Sequence, residues 1–251
     1  MDLGLDGGVY VVSGATRGLG RATAEVLIEE GARVVVSGRD PHGVLAAAAE
    51  LRTDRALGVV ADSADASAPE RLVASAVARF GRIDGALISV GGPPIGGLAD
   101  VTDEQWHAAF DSVFLGAVRL GRAVARGLPQ RGGSIVFVLS TSVREPIGGL
   151  AISNGLRPGL AMVAKMMAEE LGPKGIRVNG LMPGRIATDR IKSLDTGRSQ
   201  AEIDKIQAAI PMGRYGKPAE FGRVAAFLLS PASSYVTGTM LAVDGGMLRA
   251  L

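Results

Sequence analysis

Short runs of consecutive apolar residues alternate with longer helical stretches from one end of this chain to the other. The runs fall at 9–13, 33–37, 57–61, 85–90, 134–140, 176–182 and 239–244. They are continuous rather than alternately apolar and polar, as expected of strands covered on both faces. Between them, 18–30, 41–52, 69–80, 102–127, 155–171, 198–209 and 218–229 read as helices. In 69–80 the apolar positions Leu72, Val73, Ala76, Val77 and Phe80 recur at helical spacing, and Thr102 stands where a helix cap would. Strands joined through helices pair in parallel, because each crossover returns the chain to the same end of the sheet.

The pattern predicts an α/β chain with a single-domain Rossmann fold. Its seven-stranded parallel sheet would be doubly wound, with helices on both faces. No linker, repeat or low-complexity tract marks a second domain, so 1–251 is expected to be one unit. The least patterned stretch is 184–200. The segment 184–210 is expected to be a flap over a site, a plain surface loop being the alternative.

After the first strand comes Ser13-Gly14-Ala15-Thr16-Arg17-Gly18-Leu19-Gly20. Glycines at this point allow a sharp turn and close backbone approach to a pyrophosphate. The following helix offers free N–H groups and the positive end of its dipole. A lone glycine triplet would say little, but this one lies between the first strand and first helix of a βαβ unit.

The spacing Gly-x-x-x-Gly-x-Gly resembles that of the short-chain dehydrogenase/reductase family, and further motifs follow in order. Ala61-Asp62-Ser63 is similar to the family's adenine-contacting segment, and Gly180-Leu181-Met182-Pro183-Gly184 to its proline-glycine turn. Val236-Thr237-Gly238 and Val243-Asp244-Gly245-Gly246 are similar to its C-terminal signature. The runs 172–179 and 211–214 resemble the 3-oxoacyl-carrier-protein reductase branch. The resemblance implies a nicotinamide dinucleotide held by Gly14, Thr16, Arg17, Gly18, Leu19, Arg39, Asp62, Ser63, Gly91, Arg157, Pro183, Gly184 and Ile186. It also implies a homotetramer with helices 102–127 and 155–171 at an interface.

NAD-binding chains of this kind carry an acid at the end of the second strand. Here that place reads Ser37-Gly38-Arg39. Arg39 and Arg17 suit a 2′-phosphate, which rewards forked cationic donors. Asp40 is an acid one position late, so NADP(H) is favoured and NAD(H) stays open. Asp62 is expected to hold the adenine amino group, or else to serve only as an acid at a helix start.

The family's chemistry uses a tyrosine, a lysine four residues later, a serine and an asparagine. Ser140 matches the serine. At the tyrosine and lysine positions stand Ser153 and Arg157, in Ser153-Asn154-Gly155-Leu156-Arg157-Pro158. The relay asparagine falls at Val113, and Ile88-Ser89-Val90-Gly91 replaces the usual Asn-Asn-Ala-Gly. A serine hydroxyl is shorter than a tyrosine by a ring and far less acidic, and an arginine is a poor proton shuttle. The catalytic candidates are therefore Ser140, Ser153 and Arg157 in an atypical site. Tyr10, Tyr215 and Tyr235 lie far off in sequence, and only Tyr215, near the flap, is placed to approach.

Three functions follow as expectations. The first is an NADP(H)-dependent oxidoreductase for a small, apolar carbonyl or alcohol. The second is an NADP(H)-binding protein without turnover. The third is a non-redox isomerase or dehydratase using Arg157 as electrophile. Pro93, Pro94, Ile95, Val143, Pro146, Ile147 and Leu150 follow strand ends and would form the apolar pocket.

Composition removes other classes. The chain has no cysteine and only two histidines, His42 and His107, both read as surface residues, so no metal site is expected. The net charge of +2 comes with scattered arginines, which argues against nucleic acid. Met162, Met166 and Met167 read as core or interface. No signal peptide or membrane-length apolar stretch is visible, so a cytoplasmic chain is expected.

Overall fold

The structure, a computed structural model, describes residues 2–52 and 54–250; Met1, Thr53 and Leu251 of the expected 1–251 unit lie outside them. Seven strands form one parallel sheet: β1 (Val9–Val12), β2 (Arg33–Gly38), β3 (Ala56–Val60), β4 (Gly85–Ile88), β5 (Gly133–Val138), β6 (Ile176–Pro183) and β7 (Met240–Val243). Their order is β3-β2-β1-β4-β5-β6-β7, so the winding reverses between β1 and β4. Tyr10 lies opposite Val34 on one side and Gly85 on the other. The doubly wound Rossmann architecture expected from the apolar runs is the one observed.

Although the runs are continuous, the pleat sorts them by face. Tyr10, Val12, Val34 and Val36 face one layer with Leu27 of α1 (Gly18–Glu29) and Phe221. Val9, Val11 and Val35 face the other layer, with Leu72 of α3 (Ala68–Phe80). In chain order α2 (Pro41–Leu51) comes between these two helices, and it lies beside β3. Phe137, on β5, is fully buried among the side chains of the second layer.

Three helical expectations need correction. The path expected as one α-helix over 102–127 is α4 (Asp103–Ala109), a π-helical turn (Phe110–Leu115) and α5 (Gly116–Gly127). Its start is as expected: the Thr102 hydroxyl accepts from the Gln105 N–H, and the Gln105 side chain accepts from the Thr102 N–H.

Second, α6 runs Ala151–Leu171 rather than 155–171. Asn154-Gly155 reads locally as a turn signal, yet both residues serve tertiary contacts. The Asn154 amide accepts from the Ile147 N–H at 3.0 Å and donates to the Ile147 carbonyl at 2.9 Å. A Cβ on Gly155 would stand 2.6 Å from the Trp106 ring. Third, 184–200 is not without structure, since it contains α7 (Asp189–Asp195). The remaining helices are α8 (Gln200–Ala208) and α9 (Pro218–Leu229), α9 packing on α1.

A largely buried carboxylate fastens α7. Asp195 accepts from Arg185 at 2.8 Å and from the Tyr215 hydroxyl at 2.8 Å, and Arg198 adds a third bond. Burial alone would raise its pKa, but the donors from Arg185 and Tyr215 hold the carboxyl below the ordinary value. A pKa lowered in the folded state gives stabilisation that is full above the unfolded value and lost as pH falls through the folded one.

Two outcomes are expected. Phe137→Ala lowers unfolding free energy by about 3–5 kcal/mol in urea titrations. Proteolysis within 189–208 accelerates in the parent below pH about 4, the ordinary carboxylate range, and is already fast at neutral pH in Asp195→Asn.

Candidate functional site

A cleft of about 1420 Å³ opens along the C-terminal ends of the strands, over the reversal between β1 and β4. In doubly wound sheets the two crossovers depart to opposite sides at this point and leave a crevice. The Ser13 hydroxyl bridges the two strand ends, donating to the Ser89 carbonyl at 3.0 Å and accepting from the Ser89 N–H at 2.9 Å.

The turn beyond Ser13 requires its glycines. Gly14 has φ +59°, and a Cβ there would stand 2.5 Å from the Ser89 carbonyl oxygen. A Cβ on Gly20 would stand 2.5 Å from the Gly14 carbonyl oxygen. Arg17 precedes α1 in extended conformation and gives the helix no side-chain cap. Backbone packed this closely, opening on an uncapped helix start, fits the pyrophosphate of a dinucleotide. Thr16, Gly18 and Leu19 line the same wall.

Toward β2, Arg39 is exposed and lines the cleft. Asp40 has a local role: its carboxylate accepts from the Gly43 N–H at 2.8 Å and caps α2. Asp62 likewise closes a local turn, accepting from the Ala64 N–H at 3.0 Å with Oδ1, while the residue still lines the cleft beside Ser63. Arg17, also exposed, lies 3.9 Å from Asp189.

At the other end α6 presents Ser153 and Arg157, one turn apart and so on the same helix face. Both are buried. Arg157 donates to the Val138 carbonyl at 2.6 Å and to the Gly91 carbonyl at 2.7 Å, spanning the ends of β5 and β4. Burial, with the nearby charge of Arg190, lowers its pKa to about 10, which leaves it charged at neutral pH. The Ser140 hydroxyl accepts from the Ser142 N–H at 3.1 Å. The Ser153 hydroxyl pairs with that of Ser142 at 3.1 Å. Val113, in the π-helical turn, is buried against this end.

Every residue singled out from the sequence for catalysis or cofactor contact lines this one cleft, including Gly91, Pro183, Gly184 and Ile186. The expected apolar wall is only partly there: Pro93, Pro94, Ile147 and Leu150 line it, whereas Ile95 is exposed and Val143 and Pro146 stand outside. Tyr215 is not at the cleft, because its hydroxyl is engaged with Asp195 and Arg185. His42 and His107 are exposed, Met167 is core, and Met162 and Met166 are exposed. Among the described residues, no group of three acids or histidines is placed to share a metal ion, and no helix is long and apolar enough to cross a membrane.

Sequence reasoning missed two residues. Ser142 partners Ser153, and Arg190 of α7 lines the cleft. The only available signal for Arg190 was its position after the sixth strand.

Comparison with known proteins bears on the whole chain. The family described as enoyl-(acyl carrier protein) reductase matches residues 14–248. L-rhamnose 1-dehydrogenase (NAD(P)(+)) of Azotobacter vinelandii is 37% identical over 248 residues, covering 94% of this chain and 95% of its own. L-sorbose reductase from Gluconobacter frateurii, solved with NADPH and L-sorbose, is similar with TM-score 0.93 and 30% identity over 100% of both chains. A short-chain oxidoreductase from Pseudomonas aeruginosa PAO1, described as containing an atypical catalytic center, is similar with TM-score 0.91 and 31% identity over 100% of both chains. With sequence, strand order and the glycine turn all agreeing, this chain belongs to the short-chain dehydrogenase/reductase family.

Proposed function

We propose that the protein is an NADP(H)-dependent oxidoreductase that interconverts a carbonyl and an alcohol through an atypical site. The observation that carries this reading is the buried guanidinium of Arg157, held on the ends of β4 and β5 in the cleft that Ser140 and the phosphate-fitting turn also line. Its similarity to L-sorbose reductase, solved with NADPH, supports the cofactor class. The Pseudomonas aeruginosa relative supports an atypical centre on this scaffold.

Gly14, Thr16, Gly18 and Leu19 would hold the pyrophosphate, with Pro183, Gly184 and Ile186 lining the same cleft. Arg39 and Arg17 would take the 2′-phosphate. Asp40, as the cap of α2, is poorly available to ribose hydroxyls, which favours NADP(H) over NAD(H). Asp62 and Ser63 would face the adenine, and Gly91 and Arg157 the nicotinamide ribose.

A bound nicotinamide supplies or accepts the hydride. Ser140 already accepts a hydrogen bond from Ser142, so its own O–H is available to a carbonyl oxygen. Arg157 supplies a fixed positive charge where an alkoxide would develop. Among the described residues no tyrosine lines this cleft, so the proton would come from solvent. A missing general acid costs roughly two to four powers of ten in rate.

One observation favours the second reading, binding without turnover: Ser153 is buried and its hydroxyl is shared with Ser142. The segment 184–210 would act as a flap, opening when the Asp195 bonds release. A homotetramer through α4, α5 and α6 would cover exposed Phe110, Met162 and Met166.

Calorimetry is expected to give tighter binding of NADPH than of NADH. Arg39→Ala should weaken NADPH about 10- to 100-fold, the worth of a charge-assisted contact, and leave NADH nearly unchanged. Binding of neither dinucleotide overturns the reading. Under a carbonyl panel, Arg157→Met should lower kcat at least about 100-fold; unchanged kcat would remove Arg157 from the chemistry. Light scattering should return four copies.

A further inference from the structure

A second guanidinium stands beside Arg157 without a carboxylate. Arg190, in the first turn of α7, is partly buried and lies against Gly92, where a Cβ would be 2.8 Å from its Nε and 2.9 Å from its Cζ. Arg157 bonds the carbonyl of the preceding residue, Gly91. Two like charges thus rest on consecutive residues of one turn, in one wall of the cleft. Arg190 makes no hydrogen bond or ion pair among the described residues. The adjacent acid, Asp189, is engaged elsewhere, with Lys192 at 3.3 Å and Arg17 at 3.9 Å. Burial lowers the pKa of Arg190, and its charge contributes to the lowering at Arg157.

Desolvating two cations side by side costs free energy that an anion would recover. From Ser89, which is bonded to the phosphate turn, the chain passes Gly91 and then Gly92 before Pro93 and Pro94. Arg190 thus meets that segment one residue further along than Arg157 does, although its neighbours Thr188 and Asp189 lie near Gly18 and Arg17 of the glycine turn; the dinucleotide end has Arg17 and Arg39 of its own. Pro94, Ile147 and Leu150 add apolar wall to the same cleft.

We infer that Arg190 receives a carboxylate carried by the substrate, so that the carbonyl compound is an oxo acid with an apolar body. The inference rests on the dinucleotide reading of the cleft. A carboxylate matches the planar fork of a guanidinium in a two-bond pairing, for which lysine is a poor replacement.

The test titrates 4-carboxybenzaldehyde and its uncharged methyl ester into the NADPH-loaded protein by calorimetry. The acid should bind about tenfold or more tightly than the ester. Arg190→Gln should remove that advantage while leaving the ester and NADPH unchanged, and Arg190→Lys should restore only part of it. Equal binding of acid and ester by the parent overturns the inference. So does an Arg190→Gln variant that loses NADPH and weakens both aldehydes alike, since Arg190 would then serve the pyrophosphate. If NADPH does not bind at all, the same pair is titrated into the chain alone. A preference for the acid that depends on Arg190 then upholds the anion site without the cofactor reading, and its absence overturns both.

Discussion

The arrangement depends on a reversal in a parallel sheet. From β1 the chain winds outward to β2 and β3, then returns to place β4 against the other edge of β1. No crossover covers the gap between those two strand ends. The backbone must close it, and it does so with a hydroxyl shared between Ser13 and Ser89 and with glycine where any Cβ would strike a carbonyl. The crevice is thus a consequence of topology, and the residues around it are those that turn the chain at strand ends. Long-range placement accordingly brings Arg39, Asp62 and Ser140 together from three different βα connections, with Arg157 from α6.

The two ends of the cleft differ in chemical character. At the end with the glycine turn the protein offers backbone and exposed arginines, which water solvates when nothing is bound. At the α6 end it buries charge, with two carbonyls and, among the described residues, no carboxylate paired with Arg157. Backbone carbonyls satisfy the N–H donors of a guanidinium but neutralise only part of its charge. A buried cation left in that condition is a mark of functional sites more than of cores, where similar volume would be filled by apolar side chains. Arg190 sharpens this, because it adds charge of the same sign to a wall that already has too much of it.

Much of this was legible from the chain alone. Continuous apolar runs give the buried parallel sheet, since the pattern depends on both faces being covered and on little else. The glycine turn could be placed because its position after the first strand is local. Helix limits were less readable where tertiary contacts decided them. Asn154-Gly155 resembles a stop until Trp106 is seen against the glycine and Ile147 against the asparagine. Asp40 illustrates the opposite problem: its character as a possible ribose ligand was visible, but its use as the cap of α2 was not. Arg190 could not be found because nothing near it in sequence is periodic, and its significance lies in its distance from a residue thirty-three positions earlier.

The double grip of Arg157 has a mechanical meaning beyond its charge. One rigid, planar group touches the ends of two neighbouring strands, at Gly91 just past β4 and at Val138 closing β5. The guanidinium therefore works as a gauge block between them, setting their separation at the rim. Any twisting of the sheet that splays β4 from β5 must stretch one of two short bonds. The α6 end of the cleft is in this way kept in tolerance by the same side chain that charges it.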